Sequence, residues 1–410
     1  MITHSRTKWT VLGFVALAEF LAMSLWFSAS AVTPILTDAW QINAGQAAWL
    51  TMSVQIGFVA GALCSTLLNW ADLYEPRKLF AIGAISGAVV NGLIALFADG
   101  LALALPLRFL TGFALAAVYP VGMKIMATWM KEDRGLGIGL LVGALTLGSA
   151  SPHLLRALGS IQAWEPVLYS ASALSAVGGL IGLRYGTLGP FQSKAPPFNW
   201  RYITVGLRER GLRLANFGYL GHMWELYAMW TWIPLFLLES TQASSGGALT
   251  TQQERQIALL SFAVIGIGGV GSFLAGVVAD RWGRTQTTTL SMVVSGICAV
   301  LIGFSFGRNP TIVAIIALVW GFAIVADSAQ FSTAVSEICD PQFMGTSLTL
   351  QTSLGFLLTL ASIRLIPVWV RLVGWEWAFA TLAIGPIFGI WAMQSLRRSP
   401  VAAKLANGRG

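Results

Sequence analysis

Gly276-Val277-Val278-Ala279-Asp280-Arg281-Trp282-Gly283-Arg284 is a tight polar turn between two long apolar runs, 256–279 and 285–307. Each run has the roughly twenty residues that a helix needs to cross a hydrocarbon core about 30 Å thick. One aspartate and two arginines in so short a break are too costly to leave in lipid, so the turn surfaces in water and its flanking runs span. Outward from this turn the same alternation recurs in both directions. It gives twelve apolar runs, at about 9–36, 46–69, 79–98, 101–129, 135–158, 166–185, 213–238, 256–279, 285–307, 310–336, 345–368 and 376–396. The chain of 410 residues is 56% hydrophobic and only 10% charged, against about a quarter charged in a soluble domain. It reads as an all-α membrane protein.

The net charge of +8 does not mark a nucleic-acid partner, because the positive residues fall in short segments between runs and so set topology. One side collects Arg6, Lys8, Arg77, Lys78, Lys131, Arg134, Arg184, Lys194, Arg201, Arg208, Arg210, Arg213, Arg281, Arg284, Arg397, Arg398, Lys404 and Arg409. The other holds only Arg156, Arg255, Arg308, Arg364 and Arg371. The bias places both termini in the cytoplasm, with the chain multi-pass in the inner membrane. The first run is too long for a signal-peptide core and carries Glu19 midway, so it is an uncleaved first helix. Cys64, Cys298 and Cys339 are scattered, which leaves no disulfide framework and no zinc spacing. No cofactor or metal is expected, and no catalytic motif marks an enzyme. Gly266-Ile267-Gly268-Gly269-Val270-Gly271 lies inside a run with no strand before it, and signifies close helix packing rather than a dinucleotide site.

The chain repeats itself. Glu19 with Met23 and Trp26 matches Glu225 with Met229 and Trp232, Asp72 matches Asp280, and Gly112-Phe113-Ala114 matches Gly321-Phe322-Ala323. Gly135 matches Gly345, and Trp164-Glu165 matches Trp375-Glu376. Five matches in order, with an offset that drifts by only a few residues, indicate a duplicated six-helix unit. The expected organisation is a six-helix bundle over 1–185, a proline-bearing linker over 186–212, a second six-helix bundle over 213–396 and a basic cytoplasmic tail over 397–410.

The turn at 276–284 resembles the glycine–aspartate–arginine–glycine–arginine loop of the major facilitator superfamily. Ala71-Asp72-Leu73-Tyr74-Glu75-Pro76-Arg77-Lys78 resembles it in part, with Leu73 for the first arginine and Glu75 for the glycine. Arg108-Phe109-Leu110-Thr111-Gly112 resembles the arginine–glycine motif of that family's fourth span. The resemblance implies twelve transmembrane helices in two pseudo-symmetric six-helix bundles, which rock about a central cavity lined by spans 1, 4, 7 and 10. It also implies a conformational latch formed by Asp280, Arg281 and Arg284, with a weakened counterpart at Asp72, Arg77 and Lys78. Proton coupling is associated with the span 4 arginine motif.

The four expected cavity spans each carry a charge, namely Glu19, Arg108, Glu225 and Asp327. A charge at bilayer depth costs at least about 2.5 kcal/mol, so each must face a cavity or a partner. Glu19, Met23 and Trp26 share a helix face by spacing, as do Glu225, Met229 and Trp232, and as do Arg108 and Tyr119. Glu19 with Arg108 is the expected proton-coupling pair. Glu225, Tyr119, His222, Trp26, Trp232, Asp327 and Gln330 are the expected substrate cavity, with Asp327 beside Gln330 or paired with Lys124, and His222 placed to relay protons. The reading is a secondary active transporter of a small organic solute, proton-coupled, working as a monomer in the lipid bilayer, with symport favoured. Span 5 lacks the glycine–proline pair of drug antiporters, which counts against the alternative of a proton-driven exporter. A non-transporting membrane sensor is the alternative of another class.

Overall fold

The computed structural model describes residues 2–130, 134–159, 161–191, 208–340 and 344–410, apart from the side chains of 2–6, 71–72 and 134–136. These residues are almost entirely helical, and no strand occurs among them. By packing, the chain divides into two compact units, Met1–Phe198 and Asn199–Gly410.

The first unit contains α1 (Ile2–Met23), α2 (Thr33–Ala39), α3 (Ala44–Leu67), α4 (Pro76–Phe97), α5 (Leu101–Leu115), α6 (Tyr119–Trp129), α7 (Arg134–Leu158) and α8 (Glu165–Tyr185). The second contains α9 (Arg210–Ser245), α10 (Thr251–Trp282), α11 (Arg284–Phe304), α12 (Pro310–Ala326), α13 (Ser328–Ile338), α14 (Met344–Val373) and α15 (Ile384–Arg397). Counting α5 with α6, α12 with α13, and α15 with the helical turns that precede it from Trp375 as single spans, ten segments among the described residues are long and apolar enough to cross a membrane. They fall on ten of the twelve expected runs.

The other two runs are helical but do not reach that measure. The first is not one helix: α1 stops at Met23, residues 24–29 form tight turns, and a 3-10 turn leads into α2. The seventh lies in α9, which is continuous through Pro234, but its middle is diluted by Tyr219, His222, Trp224, Glu225, Tyr227, Trp230 and Trp232. Among the described residues, ten spans are therefore established by length and composition.

Both units use one packing scheme. In the first, α3 lies on α5, α4 on α5 and α8, and α1 on α7 and α8. In the second, α10 lies on α12, α11 on α12 and α15, and α9 on α14 and α15. The repeated glycines show why. A Cβ on Gly112 would run into the Val54 carbonyl, and one on Gly321 into the Val264 carbonyl. Only a hydrogen at these positions lets the helices approach so closely. The kinks recur as well, at 116–118 before Pro120 and at Asp327.

The expected linker is described only at its ends, and Lys131, Lys194 and Arg201 lie outside the described residues. The N-terminal part of that linker is pinned, since Gly189 N and Phe191 N donate to Oγ1 and O of Thr128 at 2.7 and 3.0 Å. The basic segment expected as a tail over 397–410 packs in part on the second unit. Beyond α15, Pro400–Gly408 forms 3-10 turns that bury Ala402, Leu405 and Ala406.

Candidate functional site

In the first unit the site is built around the break in the first helical run. Ending α1 at Met23 takes the carbonyls of Leu25 and Trp26 out of the helical ladder in a buried position, where water does not reach them. Leu25 O accepts from Ser28 Oγ at 3.0 Å, and Arg108 of α5 donates to both carbonyls. Its Nη1 donates to the Leu25 carbonyl at 2.9 Å and its Nη2 to the Trp26 carbonyl. Its Nε donates to the Leu50 carbonyl at 3.1 Å. Nη1 also reaches Ser28 Oγ at 3.2 Å and Asn91 Oδ1 at 3.3 Å. Asn91 extends the network, accepting from Ser28 Oγ at 2.8 Å and donating to the Leu168 carbonyl and Ser172 Oγ. Every guanidinium nitrogen is thus committed, and four apolar runs are tied to one side chain.

This arrangement corrects the expected Glu19–Arg108 pair. Glu19 is fully buried near the end of α1, and neither carboxylate oxygen has a hydrogen-bond partner among the described residues. It lies against the bare Cα of Gly122 in α6, where a Cβ would stand 2.8 Å from Oε2. Tyr119, one turn earlier on α6, is within electrostatic reach of it. The helix that was to carry Arg108 and Tyr119 on one face is interrupted between them. Trp26 likewise falls beyond the end of α1 and packs edge-on to Phe58, 5.0 Å between ring centres.

In the second unit α9 keeps its helical phase, and Glu225 is anchored where Glu19 is bare. Trp320 Nε1 donates to its Oε1 at 2.7 Å and Ser295 Oγ to its Oε2 at 2.9 Å. One turn before Glu225, His222 Nδ1 stands 2.9 Å from Asp327 Oδ1, with both side chains buried. Asp327 occupies the kink between α12 and α13, so its partner is the α9 histidine. Trp232 donates to the Ile363 carbonyl at 3.0 Å, which ties α9 to α14. Gln330 follows one turn after Asp327, its N–H donating to the Asp327 carbonyl at 2.9 Å, while its side chain accepts from Arg284 Nη1 at 2.9 Å.

Arg284, buried at the start of α11, is the hub of the turn at 276–284. It holds Asp280 Oδ1 at 2.8 Å and Glu337 Oε1 at 2.9 Å. The partial copy is wired differently. Glu75, standing where the loop's glycine would be, accepts from Arg77 and holds Lys78 at 3.0 Å. The side chain of Asp72 lies outside the described residues. Lys78 first, and then Arg77, hold the exposed Glu75 carboxyl below the usual 4.5.

A buried arginine, acids at three of the four kinked or cavity-type runs and an arginine-centred turn in a duplicated helical fold converge on one family, and a family model for the Major Facilitator Superfamily matches residues 15–363. The chain belongs to the Major Facilitator Superfamily. A crystal structure of the nucleoside transporter NupG superposes with a TM-score of 0.69 at 17% identity, over 94% of this chain and 99% of that one. Among curated relatives, a probable 4-methylmuconolactone transporter of Cupriavidus pinatubonensis is 24% identical over 75% of this chain and 71% of its own length. The 4-hydroxybenzoate transporter PcaK of Pseudomonas putida is 23% identical over 86% and 84%. As a major facilitator, the chain is a multi-pass membrane transporter and not an enzyme.

Asn91, Ser295, Trp320 and Glu337 were missed as site residues. Asn91 and Glu337 carried a signal, since a polar residue in or at the end of an apolar run calls for a partner. Ser295 and Trp320 carried none, because small hydroxyls and indoles are ordinary packing residues in this chain.

Proposed function

We propose that this major facilitator is a proton-coupled symporter of a small cyclic or aromatic carboxylic acid. It would work by alternating access as a monomer in the inner membrane, with twelve spans in two six-helix bundles and both termini cytoplasmic. Arg281 and Arg284 with Asp280 would act as the conformational latch. The observation that carries the reading is Glu19, a fully buried carboxylate with no partner among the described residues. An ionised carboxylate sealed without a counter-charge costs several kcal/mol. A side chain in that position takes a proton when closed in and yields it when water reaches it, which is the behaviour coupling needs. Arg108 then serves as a brace that keeps the Glu19 helix broken at Met23, rather than as the counter-charge. Glu225 and the His222–Asp327 pair supply the second unit's polar groups for substrate or a further proton. The substrate class is taken from the relatives, one of which is named for an aromatic carboxylate.

The test is uptake of 4-hydroxybenzoate into proteoliposomes under an imposed pH gradient, for the wild type and for Glu19→Gln. Accumulation in the wild type that collapses to gradient-independent exchange in Glu19→Gln is the expected result. Gradient-driven accumulation that survives the substitution would sink the coupling role. Uptake of nucleosides in preference to aromatic acids would sink the substrate class.

A further inference from the structure

The segment after α15 is not loose. It runs along the second unit and closes on the charge network at the start of α11. Val401 packs on Gly211 of α9, where a Cβ would stand 2.8 Å from Val401 Cγ1. Leu405 is fully buried. Ala406 N donates to Glu337 Oε2 at 3.0 Å, the same oxygen that Arg284 Nε approaches at 3.4 Å. Arg409 Nη1 donates to the Asp280 carbonyl, and Thr285 N donates to the Gly410 carbonyl at 3.2 Å. Gly283 makes the seat, because with φ at +98° it has a backbone only glycine adopts readily, and a Cβ there would strike the Arg409 and Gly410 carbonyls. Ala406 and Asn407 both have left-handed backbones, at φ +46° and +57°. An alanine keeps that conformation only where its surroundings hold it.

We propose that residues 400–410 are a strap, and that strap and charge network lock one another, so that the turn at 280–284 rearranges only after the strap lifts. The argument is one of shared bonds. Glu337 answers both Arg284 and Ala406, and the Asp280 residue answers both Arg284, through its carboxylate, and Arg409, through its carbonyl. Loosening either partner removes an anchor of the other, and coupling of this kind is reciprocal. Cys339 is a native reporter. It is buried just past the end of α13, on which the strap packs, with Lys404 in electrostatic reach, and burial pushes its thiol up to about 11.

The test uses the full chain carrying Cys64→Ser and Cys298→Ser, with no substrate present, so its outcome is separate from that of the transport proposal. In one arm Leu405→Asp, or the milder Arg409→Ala, lifts the strap. The readouts are maleimide labelling of Cys339 and amide hydrogen exchange over 280–287. In the other arm Glu337→Ala breaks the network, and the readout is trypsin cleavage after Lys404. Samples are compared only where they stay monodisperse with unchanged helix content. At least tenfold faster labelling and exchange in the first arm, with at least threefold faster cleavage in the second, is the expected result. Unchanged exchange over 280–287 once the strap is lifted, or cleavage that does not respond to Glu337→Ala, overturns the mutual lock.

Discussion

Arg108 Nη1 and the Leu25 carbonyl meet at 2.9 Å, and that bond joins α5 to the stretch where the first helical run has come apart. The arginine's planar fork reaches the successive carbonyls of Leu25 and Trp26 while its Nε takes that of Leu50. Lysine keeps the charge but not the fork. Hydrogen bonds to a charged group are worth about 1.5–3 kcal/mol each, so Arg108→Lys should destabilise the protein by about 3 kcal/mol. Its residual transport should keep the wild-type pH profile. Thermal melting and a pH–rate profile check the two halves of this statement, and a shifted profile would restore Arg108 to the coupling chemistry.

The His222–Asp327 contact fastens α9 to the kink of the tenth run. If each side chain matters chiefly through the other, single and double substitutions will not add. His222→Gln and Asp327→Asn should each lower stability, and the double variant should match the worse of the two, giving a coupling energy of about 1–3 kcal/mol. Additive losses in denaturant titrations would mean that the pair is two independent packing residues.

Gly112 and Gly321 occupy equivalent places in the repeat, and each faces a carbonyl of the neighbouring helix. Backbone cannot give way as a flexible side chain can. Gly112→Ala and Gly321→Ala should each cost about 1–3 kcal/mol by overpacking, whereas Gly13→Ala, with open space around it, should be neutral. Melting temperatures of the three variants decide this, and equal behaviour of all three would contradict it.

Glu75 offers a pH prediction with a fixed sign. Lys78 and Arg77 stabilise its ionised form in the folded protein, so its contribution is present above the ordinary carboxylate value of 4.5 and fades as pH falls through its lower folded value. The carboxylate is exposed, so the effect is small. Glu75→Gln should therefore lower the melting temperature slightly at pH 6–7, and the difference from wild type should close well below pH 4.5. A difference that grows on acidification would reverse the assigned interaction.

The helical spans and the duplication were legible because crossing a bilayer imposes one length and one composition on every run, and because Gly112 and Gly321 must recur wherever the packing does. The arginine-centred turn was equally plain at Asp280 and Arg284. What pairs with what was not. Glu19 and Arg108 look like partners in sequence because opposite charges in lipid seek each other. The break at Met23 created acceptors that no periodicity announces, and they took the arginine instead. The strap escaped for a related reason. Several of its anchors are backbone groups, those of Ala406, Gly410 and Asp280 with the bare Gly283, and these do not show in a pattern of side chains.

Trp320 donates its indole N–H to Glu225, and this makes the carboxylate optically visible. Indole emission responds to the charge its N–H faces, so a change in the ionisation or hydration of Glu225 would be written into the colour of one tryptophan. The chain holds seventeen tryptophans, and most must be replaced by phenylalanine before that signal can be heard alone. Once isolated, it would time events in the second unit during a single turnover, with no dye attached and no label near the substrate's path.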